Sequence, residues 1–194
     1  MSNEKTNNKI IIINGPPEAG KDGFCTFVSD MGIYQVLTYR TSDLVKKAAG
    51  VLGWNGEKTP KDRKFISDLH DLAKEAYGSP LKNVISNVDV ALSRLMGLAI
   101  VIHAREPEDI KALAERYPDA ITVFVYRPDM NVEDVSNHAD ANVFEYAYDH
   151  IITNDGTLVD YKKKVDDFIL SVVSSSSQSQ PSPAQRCKPP SDQL

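Results

Sequence analysis

The chain has 194 residues, 41% apolar and 25% charged, with a formal net charge of −5. This is the composition of an ordinary globular protein, long enough for one domain with a sizeable core. The acidic balance argues against a non-specific nucleic-acid binder, which wants a basic face, and leaves room for a locally positive cleft. No apolar run approaches the roughly 20 residues that cross a bilayer.

The opening MSNEKTNNK is polar and lacks the apolar stretch of a signal peptide. Residues 1–8 read as a loose leader, and a cytoplasmic location is expected. Lys9 to Ile13 is a short β-branched run that suits a strand buried on both faces. A Gly/Pro-rich turn follows. Phe24, Phe27, Val28 and Met31 then recur at helical spacing, with Gly32 as a stop. Tyr34 to Thr38 is a second strand. Ser42 is placed to cap a helix running to about Leu52.

Thr59-Pro60 opens another helix, with Pro at its first position. Its expected apolar face is Phe65, Leu69, Leu72 and Ala76. Ser79-Pro80 repeats the start signal, and Leu81, Val84, Ile85, Val88, Leu92 and Leu95 form a stripe. Leu98 to Ile102 is a third strand, Pro107 to Tyr117 a helix, Ile121 to Tyr126 a fourth strand and His150 to Thr153 a fifth. Asn154-Asp155-Gly156 is a turn, and Thr157 caps a last helix to about Val172.

After Val173 the sequence runs SSSSQSQPSPAQRCKPPSDQL, in which Ser, Gln and Pro dominate. Residues 174–194 are expected to be a disordered tail, native or appended. The two cysteines, Cys25 in a helix and Cys187 in this tail, give neither a disulfide framework nor metal-ligand spacing. Strands alternating with helices between residues 9 and 173 imply an α/β fold, a parallel sheet covered on both sides.

One motif carries chemistry. Gly15-Pro16-Pro17-Glu18-Ala19-Gly20-Lys21-Asp22, followed by Gly23, lies after the first strand and opens the first helix. It matches G-x-x-x-x-G-K, the P-loop, in the required strand–loop–helix setting. Glycines let consecutive backbone N–H groups point inward, the helix start adds partial positive charge, and Lys21 reaches the outer phosphates of a nucleotide. The plain alternative is a structural turn that happens to contain Gly-Lys.

The residue after the lysine is ordinarily Ser or Thr, whose hydroxyl binds magnesium. Asp22 stands here instead. Its carboxylate suits a hard metal ion, or else merely favours the helix N-terminus electrostatically. Glu18 brings negative charge into the loop and is expected to point outward.

The Gly-Lys-Asp ending resembles two groups of P-loop kinases: deoxynucleoside monophosphate kinases of tailed phages, and animal-type phosphomevalonate kinases. The wider chain is similar to the nucleoside monophosphate kinase superfamily. Four stretches carry this: Ile11 to Gly23; Thr41-Ser42-Asp43-Leu44-Val45-Lys46; Val101-Ile102-His103-Ala104-Arg105-Glu106-Pro107; and Tyr148 to Thr157. The resemblance implies a three-layer fold with five parallel strands in the order 2-3-1-4-5. It also implies an acceptor-binding insert at about 41–96, a lid at about 128–146, and a site near adenine at Asn154. Lids of this superfamily usually bring arginines to the transferring phosphoryl group. This stretch has none, which leaves Arg127 before it. His138 in Asn137-His138-Ala139-Asp140 resembles a recurrent lid pattern and reads equally as an exposed loop histidine.

Phosphoryl transfer is positioning and charge neutralisation, so cations at strand ends matter most. Arg105 follows the third strand, at the carboxyl edge where α/β ligands bind; a salt bridge with Glu106 or Glu108 is the plain alternative. Arg40 and Arg127 follow the second and fourth strands. Arg63 begins the helix opened by Pro60, where a solvated helix face explains it as well. Arg94 and Arg116 read as helix-surface residues. His103 ends the third strand, where many P-loop proteins keep a magnesium-binding Asp. Trp54 suits stacking on a base or anchoring its loop. His70 and His150 read as structural.

These readings give a first expectation, an ATP- and Mg²⁺-dependent (deoxy)nucleoside monophosphate kinase. ATP binds through Gly15, Pro16, Glu18, Ala19, Gly20, Lys21, Asp22, Gly23 and Asn154. The catalytic set is Lys21, Arg105 and Arg127, the acceptor set Arg40, Ser42, Arg63 and Arg105, and the metal ligand Asp22. The partners are ATP and a small phosphorylated acceptor, with no nucleic acid or membrane, and the chain is a monomer or homodimer. Two alternatives stand beside it: a kinase of another phosphorylated metabolite, such as phosphomevalonate, and a nucleotide-sensing module without useful catalysis.

Overall fold

A computed structural model describes residues 7–128, 146–174 and 186–189. Most of the expected lid, including His138, lies outside them, as do most of the expected leader and tail. In chain order the elements are β1 (Lys9–Asn14), α1 (Lys21–Asp30), β2 (Gln35–Arg40), α2 (Asp43–Val51), α3 (Pro60–Tyr77), α4 (Ser79–Arg94), β3 (Leu98–His103), α5 (Pro107–Arg116), β4 (Ile121–Tyr126), β5 (His150–Thr153) and α6 (Leu158–Ser174). They form two compact units, Tyr39–Leu95 and the remainder of the chain.

The larger unit is built on a five-stranded sheet in the order β2-β3-β1-β4-β5. β1 pairs in parallel with β3 and β4, and β4 in parallel with β5. β1 is therefore the middle strand, with Ile11, Ile12 and Ile13 fully buried, each contributing about 1.5–3 kcal/mol through burial.

Alternation along the strands sends the two sets of side chains to opposite faces. Ile11, Ile13, Val101, Val123 and Val125 pack with Phe24, Phe27 and Val28 of α1 and with Tyr161, Val165, Phe168 and Ile169 of α6. α5 packs on β1 and β4, burying Ile110 and Leu113. The three inner strands, β1, β3 and β4, are short, apolar runs buried along most of their length, so the continuous apolar runs in the sequence were a sound signal there; the edge strands β2 and β5 are less buried.

The smaller unit holds α2, α3 and α4 packed on one another. α3 starts with a capping box: the Thr59 hydroxyl accepts from the Asp62 amide at 3.2 Å, and Asp62 accepts from the Thr59 amide at 3.1 Å.

Three sequence expectations change in detail. β2 begins one residue later than expected and continues to Arg40. Ser42 precedes α2 but makes no side-chain cap; Asp43 accepts from the Arg40 amide at 3.0 Å instead. The stripe Phe65, Leu69, Leu72 and Ala76 is not a buried face, since α3 buries no residue and Phe65, Leu72 and Ala76 are exposed. The half-buried side is Ile66, Leu69, His70 and Ala73. α3 packs mainly on α2 and α4, so one side of it needs apolar residues and the rest does not.

Candidate active site

The larger unit places the loop of residues 15–20 between the end of β1 and the start of α1, at the carboxyl edge of the sheet, where ligands of open α/β sheets bind. Two glycines make its path possible. Gly15 has φ 146°, and a Cβ there would stand 2.1 Å from the Val125 carbonyl oxygen. Gly20 has φ 114°, and a Cβ would stand 2.9 Å from Asn154 Nδ2. Glu18 also adopts a positive φ of 61°, alone among the described non-glycine residues, and its side chain is exposed as expected.

Lys21, in the first turn of α1, folds back over the loop. Its ammonium donates to the carbonyl oxygens of Gly15 at 2.6 Å and Pro16 at 2.5 Å. No side chain caps α1 at Gly20, so the first-turn amides and the helix dipole remain directed at the loop. An ammonium, a helix N-terminus and glycine backbone in one place form an anion cradle. Asp22 is exposed in the same turn, and its carbonyl accepts from the Thr26 hydroxyl at 3.2 Å.

The loop is held by residues from far along the chain. Asn154, just after β5, donates from Nδ2 to the Ala19 carbonyl at 3.1 Å, and its own amide donates to the Tyr126 carbonyl at 2.7 Å. Tyr161 of α6 donates its hydroxyl to the Gly20 carbonyl at 3.0 Å. Burial pushes the Tyr161 phenol well up from its ordinary value, so the donor keeps its proton. At the other end of the loop, Asn14 is buried. Its Oδ1 accepts from the Gly15 amide at 2.8 Å, and its Nδ2 donates to Tyr148 Oη at 2.8 Å and to the Arg105 carbonyl at 3.1 Å.

Sequence reading singled out Asn154 but missed Asn14, Tyr148 and Tyr161 as parts of this site. Asn14 had a local signal, a polar residue ending an otherwise apolar strand. Tyr161 had none, because its spacing to Val165 and Phe168 is that of an ordinary core stripe.

Arg105 and Arg127 are exposed at the carboxyl ends of β3 and β4, in the same unit as the loop. His103 ends β3 with Nε2 3.5 Å from Cys25 Sγ of α1, so an imidazole and a thiol meet where a carboxylate was the common alternative. Among the described residues, no group of three or more His, Cys, Asp and Glu side chains is placed to hold a metal ion.

Arg40, Ser42, Arg63 and Trp54 belong to the smaller unit. Arg63 is exposed and donates from Nε to the Lys58 carbonyl at 3.2 Å. Trp54 donates its indole N–H to the Glu57 carbonyl at 2.9 Å, which anchors the loop before α3. Among the remaining candidates, the Arg116 guanidinium lies 5.8 Å from the centre of the Tyr117 ring. His150 packs edge-on against Phe168 with ring centres 5.0 Å apart.

No protein-family model and no curated protein sequence matches the chain. Solved structures do share its fold. TT1252 from Thermus thermophilus aligns with a TM-score of 0.54 at 14% identity, over 89% of this chain and 100% of that one. A sugar kinase from Janibacter sp. aligns with a TM-score of 0.51 at 11% identity, over 88% and 99%. The Mycobacterium tuberculosis APS kinase CysC in complex with AMPPNP and APS aligns with a TM-score of 0.50 at 17% identity, over 84% and 98%. The fold shared with them is a five-stranded parallel sheet in the order 2-3-1-4-5 with helices on both sides. At these identities the likeness is one of fold. Among the described residues, no helix is long and apolar enough to cross a membrane.

Proposed function

We propose that the chain is an ATP-dependent phosphotransferase whose acceptor is a nucleoside or deoxynucleoside monophosphate. The observation that carries this reading is the Lys21 ammonium held over the Gly15 and Pro16 carbonyls at the uncapped start of α1. A fold shared with structures described as a sugar kinase and an APS kinase with AMPPNP supports it.

In this reading the triphosphate displaces the Lys21 ammonium from the two carbonyls. Lys21 then spans the outer phosphates and neutralises charge as the phosphoryl group moves. The first-turn amides of α1 bind the inner phosphates, and Asn154 flanks the adenine. Arg105 and Arg127 face the transferring group. Arg40, Ser42 and Arg63, in the unit Tyr39–Leu95, contact the acceptor.

Magnesium would come with ATP and would supply charge neutralisation at the phosphates. With no protein cage for it among the described residues, the fit is to an ion carried by the phosphates and steadied by one carboxylate, Asp22.

The test is ADP release from Mg-ATP with each common NMP and dNMP, using Lys21→Ala as control. Lys21-dependent turnover with one or a few acceptors is expected. ATP binding with silence for every acceptor would overturn the acceptor assignment. The imidazole–thiol pair at the end of β3, in place of a carboxylate, favours a second reading in that case: a nucleotide-sensing module.

A further inference from the structure

We propose that residues 186–189 are a positioning element of the phosphate loop, acting through Tyr148 and Asn14. The contact is built from several bonds. Tyr148 and Cys187 exchange two backbone hydrogen bonds, the Tyr148 amide to the Cys187 carbonyl at 2.9 Å and the Cys187 amide to the Tyr148 carbonyl at 2.8 Å. Arg186 Nε donates to Asp149 Oδ1 at 3.1 Å. Arg186 Nη1 reaches the Tyr146 hydroxyl at 3.4 Å, with the guanidinium 6.0 Å from that ring's centre.

The receiving side is tied to the sheet. Asp149 Oδ2 accepts from the Thr122 amide at 2.8 Å and the Thr122 hydroxyl at 2.7 Å, and the Asp149 amide donates back to that hydroxyl at 2.9 Å. Asp149 therefore gives one carboxylate oxygen to β4 and the other to Arg186.

The same residue that pairs with Cys187 reaches the loop. Tyr148 is fully buried, its ring 5.0 Å from that of Phe124, and its hydroxyl accepts from Asn14. Asn14 in turn fixes the Gly15 amide. Backbone hydrogen bonds from Cys187 to Tyr148, the rigid Tyr148 side chain, and side-chain hydrogen bonds through Asn14 thus connect residues 186–189 to the first residue of the cradle. A buried residue bonded at both ends has few alternative positions. Docking of 186–189 therefore sets where Tyr148 Oη stands, and through it the entry angle of the loop.

The effect on ATP rests on the reading of residues 15–23 as a nucleotide site. The coupling itself does not, so the experiment reads the two separately. In the full chain, Cys187→Pro removes the amide donor and Arg186→Ala removes the ion pair. Hydrogen exchange at the Tyr148 and Gly15 amides is followed without ligand, and ATP affinity is measured by titration.

Each variant is expected to speed exchange at both amides, and to weaken ATP binding about threefold to tenfold, the worth of one hydrogen bond. In a Tyr148→Phe background, Cys187→Pro should no longer change exchange at Gly15, although the backbone amide at position 148 still responds. That split separates a relay from general loosening. Unchanged Gly15 exchange in both variants would overturn the proposal. If the unaltered chain binds no ATP, the functional reading falls, and exchange at Gly15 decides the coupling by itself.

Discussion

The hydroxyl of Tyr161 donates to the carbonyl of Gly20, a residue 141 positions earlier, at 3.0 Å. The bond pins α6 to the residue just before α1. Tyr161→Phe keeps the ring, its edge contact with Phe27 and its burial, and loses only this bond. It should cost about 1 kcal/mol. ATP affinity in the variant should fall several-fold while the circular dichroism spectrum stays unchanged.

Gly15 lies against β4 with no room for a side chain. Gly15→Ala forces the loop away from the Val125 carbonyl and places alanine at a backbone angle that L residues rarely adopt. The expected loss is about 2–3 kcal/mol. Thermal unfolding should show a Tm lower by roughly 5–10 °C for a domain of this size, together with loss of ATP binding.

Glu18 is exposed at a left-handed φ of 61°. For an L residue that conformation costs about 1–2 kcal/mol, while a glycine loses about 0.5–1 kcal/mol in chain entropy. Glu18→Gly should therefore raise Tm slightly. Glu18→Gln keeps the strained backbone and removes the charge alone. It should leave Tm nearly unchanged and tighten ATP binding in dilute salt, an advantage that fades as salt is added.

Burial lowers the pKa of His150 below its ordinary 6.5, against the opposing pull of Asp149. The folded chain thus holds the imidazole neutral at pH values where the unfolded chain has already taken up the proton. Stability should decline as pH falls below about 6.5. Denaturant melts of the unaltered protein and of His150→Phe, compared between pH 7.5 and 5.5, should show a smaller decline in the variant. An equal decline would mean that His150 carries none of it.

Much of the fold was legible because the larger unit is a buried parallel sheet. β4 and β5 coincide with the expected spans, and β1 with it to one residue, since a strand covered on both faces needs a continuous apolar run between turn residues. The loop was legible for a different reason: glycines and a lysine at fixed spacing form a local signature, and Gly15 and Gly20 stand where the backbone turns at positive φ with no room for a side chain. The smaller unit was harder. Phe65 and Leu72 repeat at helical spacing and yet face outward on α3, because spacing reports which residues share a side and says nothing of whether a neighbour covers it. Asn154 was singled out and Asn14 left a local mark as the polar end of an apolar strand, but the bond between Asn14 and Tyr148 was hidden for a third reason. Asn14 and Tyr148 are 134 residues apart, and a phenol bonded to a carboxamide leaves no local pattern.

β1 precedes the other described strands in the chain and is the middle strand of the sheet. Its partners β3 and β4, and the Asn154 and Tyr161 that brace the loop after it, are all translated later. A nascent chain therefore carries the phosphate-loop residues long before it can give them a shape. Non-local pairing of this kind delays folding. If the chain binds ATP as proposed, the nucleotide, which stabilises only what it can bind, gains its full site on the ribosome only once α6 has emerged.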